Sequence, residues 1–268
     1  MQPWDVVPRL LPLILPPYVA AVGILAEIKT LYHITLKPVR GADHQTRLES
    51  FYAGQAEDYD RFRRRLLKGR EEMYEKIDLP EGGRWVDMGG GTGGNLEFVA
   101  DRIDRLQQVS VVDLSPSLLE MADKRIAQHG WDHVHTVEAD ATTWQPDDGP
   151  VDVVTFSYSL TMIPDWFAAI DNALAMLKPG GRIGIVDFYV SRKYPPSDQR
   201  RHSYATRSFW PVWFSNDNVF PSPDHLPYLR RRFSTVDLSE HRTRTPYLFW
   251  TKMPYYIFIG EKRAEEGA

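Results

Sequence analysis

Apolar and polar positions change their period several times along this chain, and each change marks an element. Residues 10–26 (LLPLILPPYVAAVGILA) carry no charge, but Pro12, Pro16 and Pro17 interrupt the first half. From Tyr18 a helical period takes over. Ala21, Ile24, Leu25, Ile28, Leu31 and Tyr32 share one face, with Glu27, Thr30, His33 and Lys37 largely opposite. Residues 44–78 read as one or two further helices. From residue 84 short apolar runs alternate with helical patterns. Strands are predicted at 84–88, 108–113, 133–138, 152–156 and 182–189, and helical segments at 95–100, 115–129 and 166–177. Pro116 suits a first helical turn, and Pro179-Gly180-Gly181 reads as the stop before the fifth strand. Such alternation predicts a doubly wound α/β fold, a parallel sheet with helices on both faces. A final hairpin is predicted at 233–242 and 254–262, with the stretch 190–232 inserted before it.

The chemistry begins where the first strand meets five glycines within six residues, in Trp85-Val86-Asp87-Met88-Gly89-Gly90-Gly91-Thr92-Gly93-Gly94-Asn95. Glycines at that density let backbone turn sharply and approach a ligand, because no Cβ intervenes. A helix start just beyond would offer N–H groups to polar ligand atoms. Two patterns fit at once. Gly89, Gly91 and Gly94 satisfy the dinucleotide fingerprint G-x-G-x-x-G. Asp87, Gly89, Gly91 and Gly93 satisfy D-x-G-x-G-x-G, with an acid two residues ahead of the glycines. A tight turn without a ligand is the third reading.

Two further acids decide among these. Asp113 closes the second predicted strand, where a carboxylate can accept both hydroxyls of a ribose. Asp140 follows the third, where it can accept from the exocyclic amine of adenine. Three acids at three successive strand ends line one edge of the sheet, the edge where open α/β folds bind ligands. A nicotinamide dehydrogenase needs neither Asp87 nor Asp140.

Composition narrows the field. At 268 residues the chain can bury a full core, and its 43% hydrophobic and 25% charged content is that of a globular protein. A net charge of −4 gives no basic field for nucleic acid. Cysteine is absent, which excludes disulfides, thiolate metal sites and covalent cysteine catalysis. No metal ligands are assigned. The uncharged run at 10–26 is marginal for a spanning helix and lacks the basic start of a signal peptide. The helix from Tyr18 suits either a bilayer interface or a cover over the core or a partner subunit. Arg61, Arg63, Arg64, Arg65, Lys68 and Arg70 read either as a solvated face or as a dock for anionic headgroups.

Over residues 50–190 the motifs VDMGGGTGGN, VVDLSP, EADATTW and LKPGGRIGIVDF resemble those of class I S-adenosylmethionine-dependent methyltransferases. The resemblance implies a Rossmann-like seven-stranded sheet and S-adenosyl-L-methionine as cofactor. It implies that Asp87, Gly89, Gly91 and Gly93 cradle the methionine moiety, Asp113 and Leu114 the ribose, and Asp140 and Ala141 the adenine. Phe156-Ser157-Tyr158-Ser159 takes the fourth-strand position that faces the methyl group, with Ser157 at the cofactor. It departs from the D/N-P-P-Y of enzymes that methylate nucleobase amines.

A narrower match covers more of the chain. FYAGQAEDYDRFR, FSYSLTMIPDW and FWPVWFSNDNVFPSPDHLPYLRRRF look like the methyltransferase of betaine-lipid synthesis, which adds three methyls to the amine of diacylglyceryl-homoserine. That resemblance implies Tyr52 and Tyr59 at the cofactor, a lipid headgroup as acceptor, and an anionic membrane surface as partner. It also implies a cytoplasmic, peripherally membrane-associated protein and a separate enzyme for aminocarboxypropyl transfer. Residues 1–45 then form a docking segment and 46–268 the catalytic domain, with 190–232 covering the acceptor.

An α-amino group titrates near pH 8, so methyl transfer to it demands positioning rather than a strong base. Tyr158 is the polar candidate to orient an N–H, or alternatively packs beneath the cofactor. The aromatics Phe188, Tyr189, Trp210, Trp213, Phe214 and Trp250 are candidates to surround a trimethylammonium group, and Arg201, Arg207 and Arg230 to hold a substrate carboxylate. The competing readings are a C- or O-methyltransferase on a quinol or sterol, and a cofactor-sensing scaffold without turnover.

Overall fold

The computed structural model describes residues 66–215, 218–244 and 251–264. The apolar run at 10–26, the helix from Tyr18, Tyr52, Tyr59, the arginines at 61–65 and Trp250 lie outside the described residues. Seven strands form one sheet in the order β3-β2-β1-β4-β5-β7-β6. They are β1 (Arg84–Met88), β2 (Gln108–Asp113), β3 (Val134–Glu138), β4 (Val151–Ser157), β5 (Leu177–Phe188), β6 (Ser234–Arg244) and β7 (Lys252–Glu261). The first five run parallel, and β7 inserts antiparallel between β5 and β6. Strand order reverses at β1, which pairs with β2 on one side and β4 on the other. That is the switch point where a crevice opens beyond the strand ends.

Every residue of β1 is buried, and β4 is nearly so, because helices cover both faces of the sheet and polar alternation is lost. One core cluster gathers Trp85, Val109, Val111, Val153 and Val186. The opposite one gathers Val86, Met88, Val112, Val154 and Phe156, the alternate residues of the same strands.

The described helices are α1 (Arg70–Lys76), α2 (Pro116–His129), α3 (Trp166–Met176), α4 (Tyr204–Phe214) and α5 (His225–Arg232). Helix α2 begins as read: Ser115 Oγ accepts the Leu118 N–H, Pro116 opens the first turn, and left-handed Gly130 (φ 67°) ends it. Asp165 caps α3 through the Ala168 N–H.

Two expectations change. The segment after the glycines is a 3₁₀ turn over Leu96–Val99, followed by another at Ile103–Arg105, and not an α-helix. Bonds of i→i−3 type, such as Phe98 N–H to Asn95 O and Arg102 N–H to Val99 O, bring Leu96 and Val99 onto one side, where both are buried. No α-helix N-terminus therefore stands directly behind the loop. The second change concerns Pro179-Gly180-Gly181, which lies inside β5. Leu177 pairs with Val151 and Arg182 with Val153, so the strand bulges around left-handed Gly180. Helix α3 ends earlier, where Leu177 turns extended. No helix of the described residues is long and apolar enough to cross a membrane.

Candidate active site

The glycine loop folds back over the end of β1. Gly89 and Gly90 both donate to Val112 O, at 2.8 and 3.1 Å, which holds the loop against β2. Gly89 and Gly91 adopt left-handed backbone, φ 64° and 57°. Gly93 packs on α2 instead, where a Cβ would lie 3.2 Å from the Ala122 Cβ.

Asp87 does not face the cleft. It is fully buried beneath the loop, where Oδ1 accepts from Thr155 Oγ1 at 2.7 Å and Tyr74 Oη at 3.1 Å, and Oδ2 from Asn95 Nδ2 at 2.8 Å. Trp85 Nε1 in turn donates to Thr155 Oγ1. Burial, then the Asp87 charge, pushes the Tyr74 hydroxyl well above its ordinary pKa, which keeps it a donor. The carboxylate thus ties α1, β1, β4 and the turn after the glycines into one unit, shaping the loop from below. Arg70 belongs to the same buried layer, 7% exposed, with its guanidinium reaching Asn95 and lying over Phe98. It is therefore not part of a solvated or lipid-facing row.

A cleft of about 250 Å³ lies over the strand ends. Gly89, Gly91, Asp113, Leu114, Asp140, Ala141 and Tyr158, all nominated from the sequence, line it together. Asp87, Gly93 and Ser157 do not. Ser157 is buried at the end of β4, its Oγ without a hydrogen-bond partner. Asp113 is half-buried and oriented by backbone: Oδ2 accepts the Gly91 N–H at 2.9 Å and Oδ1 the Ser115 N–H at 3.0 Å. Asp140 is exposed, and its Oδ1 accepts from the backbone and hydroxyl of Thr142. Asn172 of α3 steadies this corner by donating to Ala141 O and Trp144 O.

The far wall is the segment that leaves β4. Tyr158, Ser159, Met162, Ile163, Pro164 and Asp165 all line the cleft. Tyr158 is the hinge of that wall. Its N–H extends the ladder to Val186 O, and its backbone then turns left-handed (φ 56°), an unusual conformation for a bulky residue. Its ring packs on Phe188 at 4.5 Å, and its hydroxyl donates to Lys68 O at 2.5 Å. Burial, then Asp187, raises the pKa of that hydroxyl well above 10.0. Ser159 donates to Met88 O. Asp187, fully buried, accepts the Thr161 N–H and hydroxyl and so secures the 3₁₀ turn Leu160–Met162. Desolvation pushes its carboxyl to about 7 despite those bonds.

Ser159 lines the cleft as part of the Phe156-Ser157-Tyr158-Ser159 position read from sequence, whereas Met162, Ile163, Pro164 and Asp165 had no assigned role, although they lie inside the quoted stretch FSYSLTMIPDW. They carry no periodic signal, and only the sharp turn at Tyr158 brings them over the sheet edge. None of Phe188, Tyr189, Trp210, Trp213 and Phe214 is among the described lining residues. Tyr158 is the one aromatic among the described lining residues. Trp210 and Phe214 are buried in the core, and Trp213 faces outward. None of Arg201, Arg207 and Arg230 lines the cleft, and Arg230 is paired with Asp198 at 2.8 Å.

Sheet order now reads as an order of sites along the edge: Asp140 beyond β3, Asp113 at β2, the glycines at β1 and Tyr158 at β4. A linear ligand with a purine, a ribose and a charged tail fits that sequence of groups. The close backbone at Gly89, where a Cβ would collide with Ser159, leaves room only for unsubstituted main chain beside it.

The model of the methyltransferase domain family matches residues 58–239. The chain belongs to that family. Trans-aconitate 2-methyltransferase of Variovorax paradoxus is 30% identical over 127 residues, 47% of this chain and 47% of the relative. Demethylmenaquinone methyltransferase of Clavibacter sepedonicus is 32% identical over 151 residues, 54% of this chain and 58% of the relative. The matches thus span about half the length of these relatives. The N-methyltransferase NodS from Bradyrhizobium japonicum, in complex with S-adenosyl-L-homocysteine, superposes with a TM-score of 0.55 at 16% identity over 76% of this chain and 88% of that one. It shares the fold. S-adenosyl-L-methionine is the methyl donor that the glycine loop and the acids at the strand ends imply for this methyltransferase domain. Asp113, Leu114 and Asp140 are the residues that would hold its nucleoside, and the loop at Gly89 and Gly91 its amino-acid part.

Proposed function

We propose that the protein is an N-methyltransferase that methylates the amine of diacylglyceryl-homoserine successively, to the trimethylated betaine lipid. The observation that carries this reading is the identity of the cleft's far wall. The stretch FSYSLTMIPDW, one of three that resemble the betaine-lipid enzymes beyond the common motifs, supplies six of the lining residues. It stands at the β4 end, the position assigned to the methyl group and its acceptor. The donor supplies an activated methyl group. The chain's own task is to orient the amine, exclude water and accept no covalent bond itself. Tyr158 suits the first task, since its hydroxyl gives its proton to Lys68 O and its oxygen remains an acceptor for an N–H. A separate enzyme would supply the aminocarboxypropyl group, and the acceptor's acyl chains imply a membrane surface as partner.

The second reading is C-methylation of a quinol, favoured by the similarity to a demethylmenaquinone methyltransferase. Purified protein offered diacylglyceryl-homoserine and a demethylmenaquinol, each with labelled donor, separates the two. Mass spectrometry should find mono-, di- and trimethylated lipid and no quinone product. Label in the quinone alone, or a single methyl on the lipid, overturns the reading.

A further inference from the structure

Helix α4 has two apolar faces, and only one of them has a partner in the described fold. Trp210 and Phe214 point inward, with Phe214 stacked on Phe188 at 5.5 Å. On the other side Ala205, Phe209, Val212 and Trp213 follow helical spacing and are exposed. Val212 is 72% exposed, and the Phe209 and Trp213 rings stack on each other at 5.6 Å, facing solvent. Tyr204 at the start of the helix is 79% exposed. The helix contains no acidic residue. Residues 190–215 hold five Lys or Arg and a single Asp, in a chain whose net charge is −4. That Asp, Asp198, is neutralised by Arg230. Lys193 and Arg201, both exposed, bracket the exposed Tyr194 ring.

An exposed aromatic stripe on a helix that a basic segment leads into is the chemistry of an interfacial helix. Rings and valine enter the boundary of the acyl chains while Lys and Arg meet lipid phosphates. Its place in the fold adds a reason. The ring series Phe214, Phe188 and Tyr158 runs from α4 to the cleft wall, and the Phe220 N–H after the helix bonds Thr161 O at 2.7 Å. The stripe is therefore fixed to the wall where an acceptor would stand. We propose that the Phe209–Val212–Trp213 face of α4, with Lys193, Arg200 and Arg201, docks on an anionic lipid bilayer and holds the cleft at the membrane surface. This rests on the reading that the acceptor is a lipid.

The absence of cysteine makes a clean test. In the full chain Val212→Cys, labelled with an environment-sensitive dye, is mixed with vesicles of equal parts phosphatidylcholine and phosphatidylglycerol. Lys124→Cys on α2 is the control. The Val212 label should brighten and shift to the blue, high salt should reverse much of the change, and the Lys124 label should not respond. The double variant Phe209→Ser with Trp213→Ser should lower vesicle partitioning roughly tenfold or more, since buried apolar area drives it. Its melting temperature and donor affinity should stay unchanged. Pelleting with a silent Val212 label places the contact elsewhere on the chain and overturns the proposal. A shift that needs only higher protein concentration, without vesicles, assigns the face to a second copy and also overturns it. Methyl transfer to the lipid amine in detergent micelles is read separately. Docking without transfer supports the face and sinks the acceptor reading; transfer without docking does the reverse.

Discussion

Gly89 and Ser159 meet so closely that a Cβ on Gly89 would stand 2.4 Å from the Ser159 Cβ. The contact joins the glycine loop of β1 to the wall that leaves β4, and it closes the floor of the cleft. Gly89→Ala therefore meets two obstacles, a left-handed backbone and a neighbour held in place by its own bond to Met88 O. We expect donor affinity to fall at least about tenfold by calorimetry, because the loop must shift to relieve the overlap. Gly130→Ala is the comparison. Its backbone is also left-handed but nothing lies within 4 Å, so it should cost about 1 kcal/mol of stability and leave affinity intact. Equal affinities for the two variants would sink the contact's importance.

Asp113 does two things at once, orienting toward the cleft while accepting from Gly91 and Ser115. Asp113→Ala should weaken donor binding by roughly 1.5–3 kcal/mol. Asp113→Asn keeps the shape and one acceptor oxygen, so it should fall between. An alanine variant that binds the donor as tightly as the parent removes the ribose assignment. NAD(H) should show no binding to the parent.

For Tyr158→Phe the ring wall stays and only the bond to Lys68 O is lost. Denaturation should show a loss of roughly 1 kcal/mol, with donor affinity unchanged. A lower kcat on the amine beyond that structural cost identifies the hydroxyl as the group that orients the acceptor. Parent-like kcat in the folded variant assigns Tyr158 to packing.

The buried carboxyl of Asp187 predicts a pH dependence of stability. Its folded pKa of about 7 lies above the usual carboxylate value near 4, so the native state holds the proton more tightly than the unfolded chain. Its contribution is fully present below about pH 4 and lost as pH rises toward 7, a span on the order of 4 kcal/mol. Urea titrations of the parent and Asp187→Asn across that range should differ in slope, the variant being flatter. Identical slopes would show that Asp187 does not titrate there.

Local sequence signals suffice for the chain order of the seven strands, for helices α2 and α3, for the hairpin, and for the acids of β1, β2 and the region after β3. Helices α4 and α5 and the 3₁₀ turns after the glycines were not legible. The signals are β-branched runs, the Ser115-Pro116 cap, and glycines where backbone must turn. Chain order also implied that Asp113, Asp140 and Tyr158 would share one edge, since parallel strands deliver successive ends to the same side. What each group faces depends on neighbours distant in the chain, and only the folded sheet brings those together. Asp87 reads as a ligand group, yet Tyr74, Thr155 and Asn95 converge on it and turn it into a buried strut. Trp210 and Trp213 look alike in sequence, but three residues on a helix separate the core from solvent. The wall beyond Ser159, up to Asp165, has no periodic pattern to read. Its place over the cleft comes from one left-handed residue, Tyr158, and from a buried acid on the neighbouring strand, Asp187.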